Sequence, residues 1–193
     1  DEKYVIAIDL GSDRILSYRV NDGKLEIAQV HTATPGSGPR HITFHPNQKF
    51  AYVMTELSSE VLVLHYHKND RSFTKQQSIS AIPVDFVETN DGSAIHISFD
   101  GQYVYAGNRG HNSIAVFKVD QDTGQLTFIE WTSTEGSWPR DFVLDPTEEF
   151  LVATNQKSNT LTLFNRDQTS GRLELIQSDV KAPEPVCVKF LAL

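Results

Sequence analysis

The sequence has 193 residues, of which 39% are hydrophobic and 22% are charged, so it can bury one ordinary globular core. Its 17 Lys and Arg against 25 Asp and Glu give a formal net charge of −8, which repels nucleic acid and anionic lipid in the aggregate. We therefore expect neither a nucleic-acid partner nor a membrane partner. Any anion must bind at a local basic cluster.

The apolar runs and the cysteine content indicate the compartment. The run "VLVL" at 61–64 is far shorter than the roughly 20 residues that span a bilayer. The single cysteine, Cys187, excludes an internal disulfide framework and a multi-cysteine zinc site. The lack of a disulfide framework and of an N-x-[ST] glycosylation acceptor fits a reducing compartment, and we expect a cytoplasmic protein.

Four segments of the chain align as repeats. In chain order they are "KYVIAIDLGSDRILSYRV" from Lys3, "PRHITFHPNQKFAYV" from Pro39, "SAIHISFDGQYVYAG" from Ser93 and "PRDFVLDPTEEFLVA" from Pro139. The equivalent aromatic residues Tyr4, Phe50, Tyr103 and Phe150 lie 46, 53 and 47 residues apart. A repeat of this length changes the interpretation of the whole fold.

Each repeat predicts the same elements in the same order. A short apolar strand precedes a turn such as "HPNQK", "FDGQ" or "DPTEE", and an alternating strand, a polar turn, a third strand and a ragged fourth strand follow. Four antiparallel strands per repeat are typical of a β-propeller blade. We predict an all-β propeller of about four four-stranded antiparallel blades.

The predicted blades start and stop out of phase with the chain. They cover approximately 1–35, 39–90, 93–136 and 139–182, and the first blade begins at its second strand. The segment 185–191 resembles a lone first strand and is predicted as the closing strand of the ring. Open blade faces would then favour association with another copy of the chain.

Two columns of the alignment gather charged side chains near the propeller axis. The second strands end at Leu10, Glu56, Arg109 and Gln156, and the innermost strands begin with the aligned pairs Arg40–His41 and Arg140–Asp141. We expect Arg40, Arg109 and Arg140 to point, with Glu56, into one axial cavity that attracts a small anion. The alternative is that Glu56 and Arg109 form a salt bridge that ties neighbouring blades together.

Three further polar residues are candidates for substrate binding. His41 and His96 lie on or near innermost strands, where they can contact substrate or form hydrogen bonds within the core. Asn108 precedes Arg109 at the same strand end. Trp138, by contrast, is expected to pack in the core or between blades.

His65 and His67 are the strongest metal-ligand candidates. They lie two residues apart on a strand and therefore share a face. Because no third ligand lies nearby, we expect no metal site.

The stretches "GSGPRHITFHPNQKFAYVMTELSSEV", "GSAIHISFDGQYVYAGNRGHNSIAVF" and "WPRDFVLDPTEEFLVATNQKSNTLTLF" closely resemble the seven-bladed lactonase family. This family includes propeller-type 6-phosphogluconolactonases and, more distantly, fungal carboxymuconate cyclases. The similarity covers essentially the whole sequence, which corresponds to roughly four blades of the seven-bladed ring.

The resemblance implies a set of catalytic residues. The family's arginines match Arg40 in "GPRH" and Arg109 in "GNRG", and its glutamate matches Glu56 after "AYV". The family's histidine should lie upstream of "KYVIAIDLG", before Asp1. We therefore expect this polypeptide alone to be nearly inactive.

The resemblance implies hydrolysis of a sugar-derived lactone, with 6-phosphogluconolactone to 6-phosphogluconate in the pentose phosphate pathway as the leading reaction. The partner would be a phosphorylated sugar lactone, and no cofactor is expected. An arginine would stabilise the carbonyl oxyanion, another would bind the phosphate, and Glu56 would orient water or act as general base. The alternatives are a carboxymuconate-type lactonising cyclase and a non-catalytic propeller that binds partners.

Overall fold

The structure, a computed structural model, describes residues 3–191, and every regular element in this range is a β-strand. The strands are β1 (Tyr4–Asp9), β2 (Arg14–Asn21), β3 (Lys24–Thr32), β4 (Pro39–Phe44), β5 (Phe50–Thr55), β6 (Glu60–Tyr66), β7 (Phe73–Ser80), β8 (Asp91–Ile97), β9 (Tyr103–Arg109), β10 (Ser113–Val119), β11 (Leu126–Ser133), β12 (Pro139–Leu144), β13 (Phe150–Asn155), β14 (Thr160–Arg166) and β15 (Leu173–Lys181).

The strands form four antiparallel sheets that follow the sequence repeats. The first sheet is β1–β3, the second β4–β7, the third β8–β11 and the fourth β12–β15, each in chain order. The first sheet has three strands because its unit starts at the second strand of the repeat, and residues 1–2 of the predicted 1–35 blade lie outside the described range. The predicted all-β propeller architecture is confirmed.

Side chains on the two faces of β5 pack against the two neighbouring sheets. On β5, Phe50, Tyr52 and Met54 pack toward the third sheet, whereas Ala51 and Val53 pack toward the first. All five residues are at most 3% exposed. Successive side chains of a strand point to opposite faces, and both faces of β5 pack against another sheet. The strand is therefore apolar at consecutive positions instead of alternating between apolar and polar residues.

Two glycines in outer hairpins allow the sheets to approach closely. Gly124 and Gly171 both have φ of +74°, a left-handed conformation that side chains disfavour. Their carbonyl groups accept hydrogen bonds from the hydroxyls of Tyr52 (3.0 Å) and Tyr105 (2.8 Å) on the neighbouring sheet. A Cβ atom at Gly124 would lie 2.4 Å from the Phe50 ring. The hairpins therefore tie adjacent sheets together by backbone contacts.

The segment 185–191, predicted as a closing strand, is not a strand in the structure. The N–H group of Val188 donates to Oδ2 of Asp141 on β12 at 3.0 Å. Pro183 and Pro185 have no N–H group to offer to a ladder. Because a strand requires paired backbone groups and the Val188 N–H group is bonded to a side chain instead, the segment lines the cavity between the sheets without joining one.

The outward face of the first sheet remains apolar and exposed. Its exposed large hydrophobic residues are Val5, Val20, Leu25, Ile27 and Val30. Association of copies through this open face stays a prediction.

Candidate active site

Two β-bulges direct consecutive side chains into the centre of the ring. On β4, Pro39 pairs with Thr55 and His41 with Met54, so Arg40 is the extra residue of a bulge. The same shift on β12 makes Arg140 the extra residue between Pro139 and Asp141. A bulge interrupts the strict alternation of a strand and redirects a side chain.

The bulged residues line an axial cavity with a volume of about 580 Å³. The contributing strands β4, β8 and β12 are the innermost strands of three successive sheets, and β4 and β12 both contact β8. The polar part of the lining consists of Arg40, His41, His96, Arg140, Asp141 and Lys189. The cavity is large enough for a sugar-sized ligand.

Glu56 joins two arginines next to this cavity. Its Oε2 atom lies 2.9 Å from Nε of Arg40 and 2.8 Å from Nη2 of Arg109. The side chains of Arg40 and Glu56 are 14% and 23% exposed, so a small molecule can reach them. We call Arg40, Glu56 and Arg109 the Glu56 cluster.

Arg109 differs from the sequence expectation that it would point into the axial cavity. Its side chain is 4% exposed and lies behind the cavity wall, where Nη2 also donates to the carbonyl of Gly92 at 2.8 Å. Neither Glu56 nor Arg109 lines the cavity, and Arg40 is the residue shared by the cavity and the Glu56 cluster. Because Glu56 and Arg109 lie on neighbouring sheets, their bond also ties these sheets together.

The neighbours of Arg40 shift the pKa of its guanidinium in opposite directions. Burial lowers the pKa of Arg40, and the guanidiniums of Arg109 and Arg140 lower it further, whereas Glu56 acts in the opposite direction. The side chain stays protonated at neutral pH because an arginine pKa starts far above 7. A second anion near Arg40 would relieve the repulsion between these guanidiniums.

The two cavity histidines are neutral at neutral pH. Desolvation and then the Arg40 guanidinium lower the pKa of His41 to about 4. Desolvation also lowers the pKa of His96, whose ring packs edge-to-face on Phe142 at 5.0 Å. Nη1 of Arg40 lies 3.2 Å from Nε2 and 3.4 Å from Nδ1 of His41, and because arginine only donates, whichever of these two nitrogens carries no proton is the acceptor. Both rings can therefore exchange hydrogen bonds with a sugar without adding positive charge.

Asn108 is not brought to the cavity. It is fully buried, and its Nδ2 donates to the carbonyl of Ala81 at the end of the second sheet. Asn155 occupies the same place one sheet later and donates to the carbonyl of Thr134. The repetition indicates a tie between sheets, and strand alternation turns Asn108 away from the side that Arg109 faces.

Sequence reasoning missed Lys189 and the part played by Asp141. Both line the cavity, and Asp141 accepts the Val188 N–H group that holds the segment of Lys189 in place. Asp141 aligns with His41 in the sequence repeats, so its place in the wall was detectable. Nothing in the sequence pattern indicated Lys189, because it follows the last repeat.

Trp138 is a second residue whose place the sequence did not reveal. Its ring centroid lies 5.7 Å from Cζ of Arg109, and the residue is half-buried. It has φ of +66° where the equivalent Gly38 has +63°, which is uncommon for a bulky side chain. The sequence did carry a signal for this position, because Trp138 before Pro139–Arg140 aligns with Gly38 before Pro39–Arg40.

Neither a metal site nor a membrane helix is found in the described part of the chain. Over residues 3–191, no three His, Cys, Asp or Glu side chains are grouped so that they could hold a metal ion. His65 and His67 have ring centroids 4.5 Å apart, and Nε2 of His67 lies 2.8 Å from the Thr74 hydroxyl. The same range contains no helix that is long and apolar enough to cross a membrane.

The chain is similar in sequence and structure to bacterial proteins. It is 55% identical over 191 residues to a 6-phosphogluconolactonase of Bacillus subtilis, covering 99% of this chain and 55% of that protein. A solved structure of a Lactobacillus plantarum protein superposes with a TM-score of 0.96 at 46% identity, over 98% of this chain and 55% of that one.

A second solved structure carries a different name. The periplasmic gluconolactonase of Pseudomonas aeruginosa superposes with a TM-score of 0.93 at 35% identity, over 98% of this chain and 54% of that one. The chain thus spans about half the length of the relatives it matches. The family model described as "Lactonase, 7-bladed beta-propeller" matches residues 1–190. The chain therefore belongs to the seven-bladed β-propeller lactonase family.

Proposed function

We propose that this chain, within a seven-bladed ring, hydrolyses a sugar-derived lactone, with 6-phosphogluconolactone of the pentose phosphate pathway as the leading substrate. The Glu56 cluster beside the axial cavity carries the proposal, since it joins two guanidiniums to a reachable carboxylate. The names of the Bacillus subtilis and Pseudomonas aeruginosa relatives support lactone chemistry and leave the phosphorylated and unphosphorylated sugar lactones as the two substrate classes.

The reaction requires water to attack the ester carbonyl of the lactone. The carbonyl oxygen gains negative charge, the ring C–O bond breaks, and a proton passes from the water to the departing ring oxygen. Arg40 is the guanidinium of the Glu56 cluster that reaches the cavity, so it is assigned to stabilise the oxyanion. The Glu56 carboxylate is assigned to orient water, and Arg109 positions that carboxylate from behind.

The remaining cavity residues are assigned to substrate binding. His41 and His96 offer neutral ring nitrogens to sugar hydroxyls, and Arg140 offers a guanidinium. No step of this scheme needs a cofactor. A cytoplasmic location, expected from composition, stays a prediction beside a relative that is named periplasmic.

The test is the rate of lactone hydrolysis by a seven-bladed protein that contains this sequence. Loss of one oxyanion donor lowers kcat by about 10²- to 10³-fold, and we expect this loss for Arg40→Ala. Arg172→Ala is the matched control, because Arg172 forms an exposed ion pair with Glu130 outside the cavity. Equal rates for wild type and Arg40→Ala would overturn the role assigned to Arg40, and a wild type that hydrolyses no lactone above the uncatalysed rate would leave the non-catalytic propeller as the better explanation.

A further inference from the structure

Two cationic side chains that line the axial cavity lack a counter-ion within the described range, residues 3–191. Arg40 is paired with Glu56, but Arg140 and Lys189 form no ion pair or side-chain hydrogen bond with any residue in 3–191. The chain has 25 acidic residues and a net charge of −8, so partners for these two cations were available in its composition. An unpaired guanidinium, half-buried in a cavity, indicates a site for an anion.

The charge of the cavity matches a dianion. Among residues 3–191, Arg40, Arg140 and Lys189 face a single carboxylate, Asp141, so the part of the lining that this range contributes carries a net charge of about +2. The adjoining Glu56 and Arg109 cancel each other. A phosphate monoester carries about −1.5 to −2 at pH 7, which this lining would neutralise.

Asp141 does not offset the two free cations by pairing with them. Its Oδ2 atom accepts the Val188 N–H group, and this contact holds the segment that carries Lys189 against β12. On the other side of Asp141, the bulge directs Arg140 into the same cavity. The bulge on β12 therefore places Arg140 in the cavity, and the hydrogen bond between Val188 and Asp141 places Lys189 there.

We propose that Arg140 and Lys189 form a phosphate subsite that selects phosphorylated sugar lactones over unphosphorylated ones. The planar guanidinium binds two phosphate oxygens at once, and the ammonium adds a mobile point charge. Arg40, held by Glu56, is left to serve the lactone carbonyl. This inference rests on the proposed function, and it assigns the substrate class of the same site.

The experiment compares two substrates on the seven-bladed protein that contains this chain. We expect Arg140→Ala and Lys189→Ala each to raise KM for 6-phosphogluconolactone by about tenfold to a hundredfold. Because glucono-δ-lactone carries no phosphate, its KM should rise much less, so the preference for the phosphorylated lactone should fall by about tenfold or more. Lys118→Ala is the matched control, since Lys118 is exposed on β10 and lies outside the cavity.

The outcomes separate this inference from the proposed function. If the variants lose both substrates equally, or if the preference for the phosphorylated lactone is unchanged, the phosphate subsite is disproved. If the wild type hydrolyses neither lactone, the proposed function fails, and calorimetry with inorganic phosphate decides the inference. Phosphate binding that disappears in both variants would then support the subsite, and binding that persists in them would disprove it.

Discussion

Replacing Glu56 by Gln removes one negative charge from between two guanidiniums while keeping the shape of the side chain. Glu56 Oε2 contacts Arg40 at 2.9 Å and Arg109 at 2.8 Å, and Arg109 is 4% exposed. The variant leaves two adjacent cations that no longer share a carboxylate. The folded state should therefore lose stability relative to the unfolded chain, in which water solvates both arginines.

The size of the effect follows from the exposure of the cluster. A hydrogen bond to a charged group contributes about 1.5–3 kcal/mol, and breaking a fully buried ion pair costs about 3–5 kcal/mol. Because Glu56 is 23% exposed and Gln retains an acceptor oxygen, we expect a loss of about 2–3 kcal/mol in the free energy of unfolding.

Urea denaturation measures this loss, with Glu149→Gln as control because Glu149 is exposed. In a double-mutant cycle with Arg109→Gln, the coupling energy should exceed about 1 kcal/mol. A loss for Glu56→Gln within about 0.5 kcal/mol of the control would refute the argument that the shared carboxylate stabilises this junction.

Three further predictions follow from the structure. Asn108→Ala should lower the free energy of unfolding by about 1–3 kcal/mol in urea, because the Ala81 carbonyl loses one of its two donors and Asn90 loses an acceptor, whereas a substrate-binding role predicts a raised KM at unchanged stability. Because the pKa of His41 is about 4 in the folded chain and near 6.5 in the unfolded chain, the unfolded state binds more protons between these values. Stability should therefore fall as pH drops from about 6.5 to 4, and His41→Gln should flatten thermal-melt profiles over that window; an unchanged slope would contradict this account. Gly92→Ala would place a Cβ atom 2.2 Å from the Thr55 carbonyl oxygen and should cost about 2–3 kcal/mol, whereas Gly11→Ala, with its nearest contact at 3.7 Å, should be nearly neutral in the same titration.

The repeat architecture could be predicted because its determinants are local. Turn residues recur at fixed intervals, and alternation along strands such as Phe50–Thr55 requires an apolar neighbour on each face. The position of Arg40 in the cavity and of Glu56 beside it follows from the alignment, because equivalent strands end at equivalent places around the ring. The proximity of Arg40, Glu56 and Arg109 was expected on the same grounds.

Only the tertiary structure decided which of these groups face the cavity. Bulges at Arg40 and Arg140 break the alternation that a sequence pattern assumes, and Arg109 is drawn behind the wall by Glu56 and Gly92. Lys189 reaches the cavity through the hydrogen bond between Val188 and Asp141, which joins residues 47 positions apart. The sequence by itself determined the number and order of the strands, since these depend on neighbours along the chain. The charge balance of the cavity depends on contacts between distant segments, which no local pattern encodes.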